Sequence, residues 1–362
     1  MKIGIVGLPN VGKSTLFNSI TKAGAECANY PFCTIEPNIG IVPVPDERLD
    51  TLGKMYDSDK ITHATIEFVD IAGLVKGASN GEGLGNKFLS HINETDAILE
   101  VVRCFDDQNI IHVEGNIDPI RDIEIINTEL ELADLKTVEK RIDRASKLAK
   151  GDKKYLVEEN IFKKIQETLN NGNRAILTPL TDEEKAIVKD AYLLTMKPIL
   201  YVANIAESDI GKEDNEYVKK VKDYAKNENS EVITLSAKIE EELSELEGQE
   251  KDEMLEALGI NESGLDKVIK KSYELLGLIS FLTSGKKETR AWTIKKGTKA
   301  PQAAGKIHSD MERGFIKAEV ISFDDLIKNG NYLKAKENGA IRLEGKDYVM
   351  KDGDIVEFKF NV

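Results

Sequence analysis

Short apolar runs alternate with amphipathic helical stretches through most of the chain. Lys2–Val6 opens it as a strand that ends in a glycine loop. Thr65–Asp70, Ala97–Arg103, Pro198–Asn204 and Glu231–Leu235 read as further buried strands, with helical patterns between most of them. Such alternation predicts a doubly wound α/β domain around a largely parallel sheet.

Between Arg103 and Pro198 the pattern changes. Ile126 to Leu148 is helical, without Gly or Pro, and Leu135, Val138, Ile142, Ala145 and Ala149 step by three and four. Gly151-Asp152 breaks the run, and a second amphipathic stretch through Ile161, Ile165 and Leu169 leads back to Asn170-Asn171-Gly172. Two antiparallel helices make an inserted α-hairpin, either a surface decoration or an arm that touches a partner. Asp182–Leu194 reads as another helix with acids in its first turn. Helical acidic segments follow Leu235 to about Gly277. Beyond them Ala291–Ile294, Ile316–Ile321, Asp347–Val349 and Ile355–Phe360 read as strands, and Ser322 caps a short helix to Lys328. The expected organisation is residues 1–125 and 196–277 as one α/β domain, 126–195 as the inserted hairpin, and 278–362 as a small α+β domain.

The chain has 362 residues, too many for one ordinary domain. No apolar run approaches the roughly 20 residues of a membrane span. The N-terminus lacks a signal-peptide pattern, and the three cysteines suggest no disulfide framework, so a cytoplasmic protein without membrane contact is expected. Net charge is −14, but unevenly spread. Leu278–Val362 carries 16 Lys and Arg against 12 Asp and Glu, so the acidic average does not exclude an RNA partner.

Gly7-Leu8-Pro9-Asn10-Val11-Gly12-Lys13-Ser14 matches G-x-x-x-x-G-K-[ST] without a mismatch, after a strand and before a helix. In that setting glycines let backbone N–H groups converge on phosphate oxygens. The expected nucleotide-binding run is Asn10, Val11, Gly12, Lys13, Ser14 and Thr15. Lys13 places its charge on the β- and γ-phosphates and is a candidate catalytic residue; Ser14 offers its hydroxyl to Mg²⁺. Thr65–Gly73 supplies the second piece, an apolar strand ending in Asp-x-x-Gly. Asp70 would hold a magnesium-bound water, and the Gly73 N–H would sense the γ-phosphate. Thr34 is a candidate second hydroxyl on Mg²⁺, with an ordinary loop threonine as the alternative. The glycine-rich Leu74–Gly85 is either a linker or a switch tied to the γ-phosphate.

At the end of Pro198–Asn204 the chain reads Asn204-Ile205-Ala206-Glu207, where a guanine reader would be Asn-Lys-x-Asp. Glu207 is one methylene too long for the same bidentate contact, and Ile205 replaces the ring-covering Lys. An Asn amide can pair with adenine N6 and N7, so ATP is expected over GTP, with Ser236 and Ala237 completing the base pocket.

The residues Gly7–Ser14, Asn29–Asn38, Asp70–Gly85 and Asn204–Glu207 resemble the YchF family of Obg-like ATPases, translation-factor-class P-loop proteins. So do Arg290–Ile294, Ala300–His308 and the ending Lys351–Val362, which extends the resemblance over essentially the whole chain. The resemblance implies a P-loop domain with an inserted helical hairpin and a C-terminal TGS domain of ubiquitin-like fold. It implies ATPase activity with Mg²⁺ and association with the ribosome.

Related GTPases place a water-orienting Gln just after Asp-x-x-Gly, where this chain has Leu74. The resemblance points instead to His112 as the catalytic group; by its own surroundings a lone His among apolar residues reads as structural. Asn10 would either coordinate K⁺ near the phosphates or stabilise the turn. Lys136–Lys154 carries a net +5 and Ser284–Ile307 a net +6. They are solvated faces or contacts for ribosomal RNA. The leading expectation is a monomeric, slow, ribosome-associated ATPase. A GTPase with an unorthodox base pocket, and an ATP-gated ribosome- or RNA-binding module with incidental turnover, are the alternatives.

Overall fold

The structure, a computed structural model, describes residues 1–24, 38–71, 84–107, 109–110 and 115–361. Thr34, Gly73, Leu74 and His112 lie outside the described residues. The strands are β1 (Lys2–Val6), β2 (Ile39–Pro43), β3 (Ile61–Thr62), β4 (Thr65–Asp70), β5 (Ala97–Arg103), β6 (Ile199–Asn204), β7 (Glu231–Leu235), β8 (Leu278–Thr283), β9 (Thr289–Lys295), β10 (Phe315–Ser322), β11 (Arg342–Glu344) and β12 (Asp354–Phe360). The helices are α1 (Lys13–Gly24), α2 (Glu47–Tyr56), α3 (Leu84–Asn93), α4 (Pro119–Ala149), α5 (Tyr155–Asn170), α6 (Asp182–Val188) and α7 (Glu216–Asn227). They continue with α8 (Ala237–Leu243), α9 (Gly248–Ala257), α10 (Gly264–Leu275), α11 (Ala300–Ile307), α12 (Ser309–Arg313), α13 (Phe323–Asn329) and α14 (Tyr332–Glu337). Two compact units result, residues 1–41 with 67–268, and residues 42–66 with 269–362.

The first unit is built on a sheet of order β2-β4-β1-β5-β6-β7, with β4, β1, β5, β6 and β7 running parallel. This is the doubly wound α/β arrangement expected from the alternating pattern. Every residue of β5 and β6 is buried, as befits central strands covered on both faces. The register pairs Ile5 with Asp70 and Arg103 with Asn204, so the glycine loop after β1 and the ends of β4, β5 and β6 share one edge of the sheet. In an open parallel sheet that carboxyl edge is where ligands bind.

The hairpin is present as α4 and α5. The α4 helix starts at Pro119, seven residues before the periodic run suggests, because Asp118 caps it by accepting from Ile120 N and Arg121 N, with Pro119 in the first turn. Val138, Ile161, Phe162, Ile165 and Leu169 form a buried core between the two helices. Asp182–Leu194 is shorter than expected: α6 ends at Val188, and Tyr192 takes a left-handed backbone with φ 49°. A Thr181–Glu184 capping box fixes its start. Among the described residues no helix is long and apolar enough to cross a membrane.

The second unit carries a mixed sheet of order β11-β10-β12-β8-β9-β3. Phe281, Ile294, Phe315, Val320, Met350 and Phe358 fill its core. Residues 42–66, which the sequence pattern groups with the first domain, belong to this unit. Within it β3 pairs in parallel with β9, Ile61 with Thr289 and Thr62 with Arg290. Asp347–Val349 is not a strand: only Val349 makes an isolated bridge, to Lys299, and the edge strand is Arg342–Glu344 instead. The Ser322 cap holds, its hydroxyl accepting from Asp325 N at 3.2 Å.

Candidate functional site

The chain leaves β1 through a tight loop and enters α1 at Lys13. Two glycines make that loop possible. A Cβ on Gly7 would sit 2.8 Å from the Val101 carbonyl oxygen and 2.9 Å from a Val11 methyl. Gly12 has φ 97°, and a Cβ there would run into the Asn204 amide. Asn10 also takes a left-handed backbone, φ 66°, which asparagine tolerates better than most residues.

The Lys13 ammonium donates to the Asp70 carboxylate. The phosphate loop and the end of β4 thus meet although 57 residues separate the pair. Both side chains are partly buried, at 11% and 25% exposure, so the ammonium and carboxylate remain open to a third party. Ser14 is exposed at the start of α1, where free backbone N–H groups favour an anion. The oxygen donors of Ser14 and Asp70 suit a hard cation such as Mg²⁺. The glycine-shaped loop, the Lys13 ammonium and these oxygens together fit a magnesium–nucleotide. Among the described residues no three His, Cys, Asp or Glu side chains form a cage that would hold a metal without the nucleotide.

The base-side residues assemble around one amide. Asn204 is 4% exposed at the end of β6. Its Nδ2 donates to the Val11 carbonyl at 2.8 Å, and its Oδ1 accepts from the Ala237 N–H at 2.9 Å. Asn204 thus clamps the phosphate loop to the Ser236–Ala237 segment, and its amide keeps a second N–H and a second lone pair beyond these two bonds. Backbone donors and acceptors that would otherwise be unsatisfied on burial explain the arrangement. Ile205 is buried at 7% exposure, with its N–H on the Leu235 carbonyl. Glu207 is exposed and accepts from Lys238 at 2.8 Å. That carboxylate holds the Lys238 ammonium above the usual lysine range. Glu207 thus faces a cation on its own rim.

Arg103 has a part that sequence reasoning missed. It is 1% exposed at the end of β5 and donates to the carbonyls of Phe105 (3.2 Å), Asp107 (3.1 Å) and Ile110 (3.0 Å). One guanidinium thereby organises the segment that leads toward His112. The sign was an arginine closing a largely apolar strand. Thr34, Gly73 and His112 receive no placement, being outside the described residues.

Comparison with known proteins adds to this geometry. Residues 2–143 match the family described as 50S ribosome-binding GTPase, and residues 278–361 match the YchF GTPase C-terminal family, described as a protein of unknown function. The Bacillus subtilis (strain 168) ribosome-binding ATPase YchF is 59% identical over 99% of both chains. The Escherichia coli O157:H7 ribosome-binding ATPase YchF is 53% identical over 100% of this chain and 99% of its own. The solved structure of the Schizosaccharomyces pombe YchF GTPase is 41% identical, spans 99% of this chain and 97% of its own, and superposes with a TM-score of 0.90. The two bacterial relatives are named for ATP and the yeast one for GTP.

Proposed function

Since the chain belongs to the YchF family, we propose that it is a magnesium-dependent ATPase that hydrolyses ATP slowly to ADP and phosphate and acts as a nucleotide-dependent switch on the ribosome. The observation that carries this reading is the meeting of Lys13 with Asp70 at the edge where the base-side segments also converge. On this reading Lys13 exchanges its carboxylate partner for the β- and γ-phosphates. Asp70, Ser14 and Thr34 would hold Mg²⁺, which would neutralise charge on the transferred phosphoryl group. Gly73 donates its N–H to the γ-phosphate, and Asn10 through Thr15 wrap the phosphates. His112 orients the attacking water, since Leu74 has no polar atom with which to do so.

The choice of ATP rests on what the base rim lacks. A guanine reader needs a carboxylate that accepts from N1–H and N2–H₂ together. Glu207 is longer than aspartate and is held by Lys238. Guanine then loses the carboxylate contact to its N1–H and N2–H₂, a contact adenine does not use. Names of the bacterial relatives agree with this choice. The yeast relative's name keeps a GTPase reading as the competitor. Ribosome association is supported by the bacterial names and by the basic stretches on the hairpin and at the entry to the last domain.

Turnover with and without ribosomes tests the switch. Purified chain should release phosphate from ATP slowly, and saturating ribosomes should raise the rate at least tenfold. Ribosome binding that responds to nucleotide with no change in rate would instead support a binding module whose hydrolysis is incidental.

A further inference from the structure

Away from the phosphate edge, α4, the segment after α5 and the end of α7 enclose a polar cavity of about 380 Å³. Glu124 and Glu131 of α4 and Glu228 beside α7 line it, and no lysine, arginine or histidine does among the described residues. The C-terminal end of α7, at Asn227, borders the cavity, as do Gly172 and Asn173 just past the end of α5 at Asn170. Helix C-termini carry partial negative charge, so they add to the acids rather than balance them.

Among the described residues the cation buried behind this wall is already committed. Arg174 is 1% exposed, pairs with Glu228 at 3.3 Å and donates to the Lys197 carbonyl. Glu228 also accepts from the Tyr201 hydroxyl at 2.8 Å. One guanidinium therefore stands against the carboxyls of Glu100, Glu131 and Glu228. Burial, and then the charge of Glu228, push the Glu131 carboxyl up to about 7.

A second, independent feature points to a ligand. Asn127 lines the cavity and is 3% exposed. Its Nδ2 donates to the Tyr224 hydroxyl at 3.2 Å, but its Oδ1 is buried with no partner. A buried acceptor without a donor is unfavourable, and an incoming N–H would relieve it. The cavity thus asks for positive charge and for N–H donors together. Its acids do not converge on a point: among the described residues no three form a metal cage. Spaced carboxylates match spaced charges along a chain.

We propose that this cavity binds a small aliphatic polyamine, with ammonium groups on Glu124, Glu131 and Glu228 and one N–H donated to Asn127 Oδ1. The test is calorimetric titration of the full chain with spermidine at fixed ionic strength. One saturable site is expected. Glu131→Gln should weaken it at least tenfold. Thr128→Lys, at an exposed position on the cavity rim, should abolish it by placing an ammonium there, and an unchanged melting curve would verify that this variant folds. Glu256→Gln, exposed on α9, removes the same charge elsewhere and should leave binding unchanged. Equal weakening by Glu131→Gln and Glu256→Gln would overturn the proposal, since it would mean diffuse attraction to a chain of net charge −14. Absence of saturable binding would also overturn it. So would Mg²⁺ alone occupying the site with the same dependence on Glu131 and Thr128, which would identify an inorganic cation instead.

Discussion

Lys13→Ala lowers the affinity for ATP by roughly ten- to a hundredfold, the equivalent of about 1.5–3 kcal/mol for a charge-assisted contact. The expectation rests on the place of the ammonium. It pairs with Asp70 at the mouth of a loop whose backbone is shaped by Gly7 and Gly12. Both Lys13 and its partner are partly exposed, so the fold itself loses little when the pair is broken. A surface ion pair of this kind contributes at most about 1 kcal/mol. The variant should therefore melt near the parent protein while failing to hold nucleotide. Calorimetry and a thermal melt read the two quantities separately. Unchanged affinity would remove Lys13, and with it the phosphate loop, from the site.

The second large effect concerns stability. Arg174→Met should destabilise the first unit by about 3–5 kcal/mol, as breaking a buried ion pair on one side leaves the other charge uncompensated. Arg174 is the cation for Glu228 and faces Glu100, which lies in the middle of β5 with one carboxyl oxygen unpaired. Burial pushes Glu100 well above the glutamate range, and Arg174 opposes that push. It opposes the same push at Glu131. A carboxyl raised on folding holds its proton to higher pH in the native state than in the unfolded chain. Stability then falls as pH rises from the ordinary glutamate value of 4.5 toward about 7 for Glu131. Without Arg174 both carboxyls rise further, so the loss should be larger at pH 8 than at pH 5. Urea unfolding at the two pH values measures it. A loss below about 1 kcal/mol, or one independent of pH, would mean that the cluster is balanced by another group.

Much of this molecule could be read from residue order. The central strands of the first sheet are mostly apolar runs at the expected places, because burial on both faces leaves few other choices. The phosphate loop was legible for a related reason: its glycines answer to local backbone geometry, which does not depend on distant parts of the chain. What failed to show was nonlocal or shared. The two-residue strand β3 exists only because Ile61 and Thr62 pair with Thr289 and Arg290, more than two hundred positions away. Local periodicity holds no trace of such a pairing. Asn204 was placed in the site from its position, but only the fold shows that its amide also bonds Val11 and Ala237. Glu100 stood in plain view inside an apolar run and passed as part of the strand. A lone acid in a buried strand is the signal that would have led to Arg174.

The account turns on which nucleotide the site takes. Calorimetric titration of the purified chain with ATP and with GTP, in Mg²⁺ and K⁺, tests it most directly. Glu207, held on the rim by Lys238, predicts ATP binding at least tenfold tighter, a difference of about 1.4 kcal/mol. Equal or tighter binding of GTP would contradict that reading of the base rim and make the protein a GTPase with an unorthodox pocket.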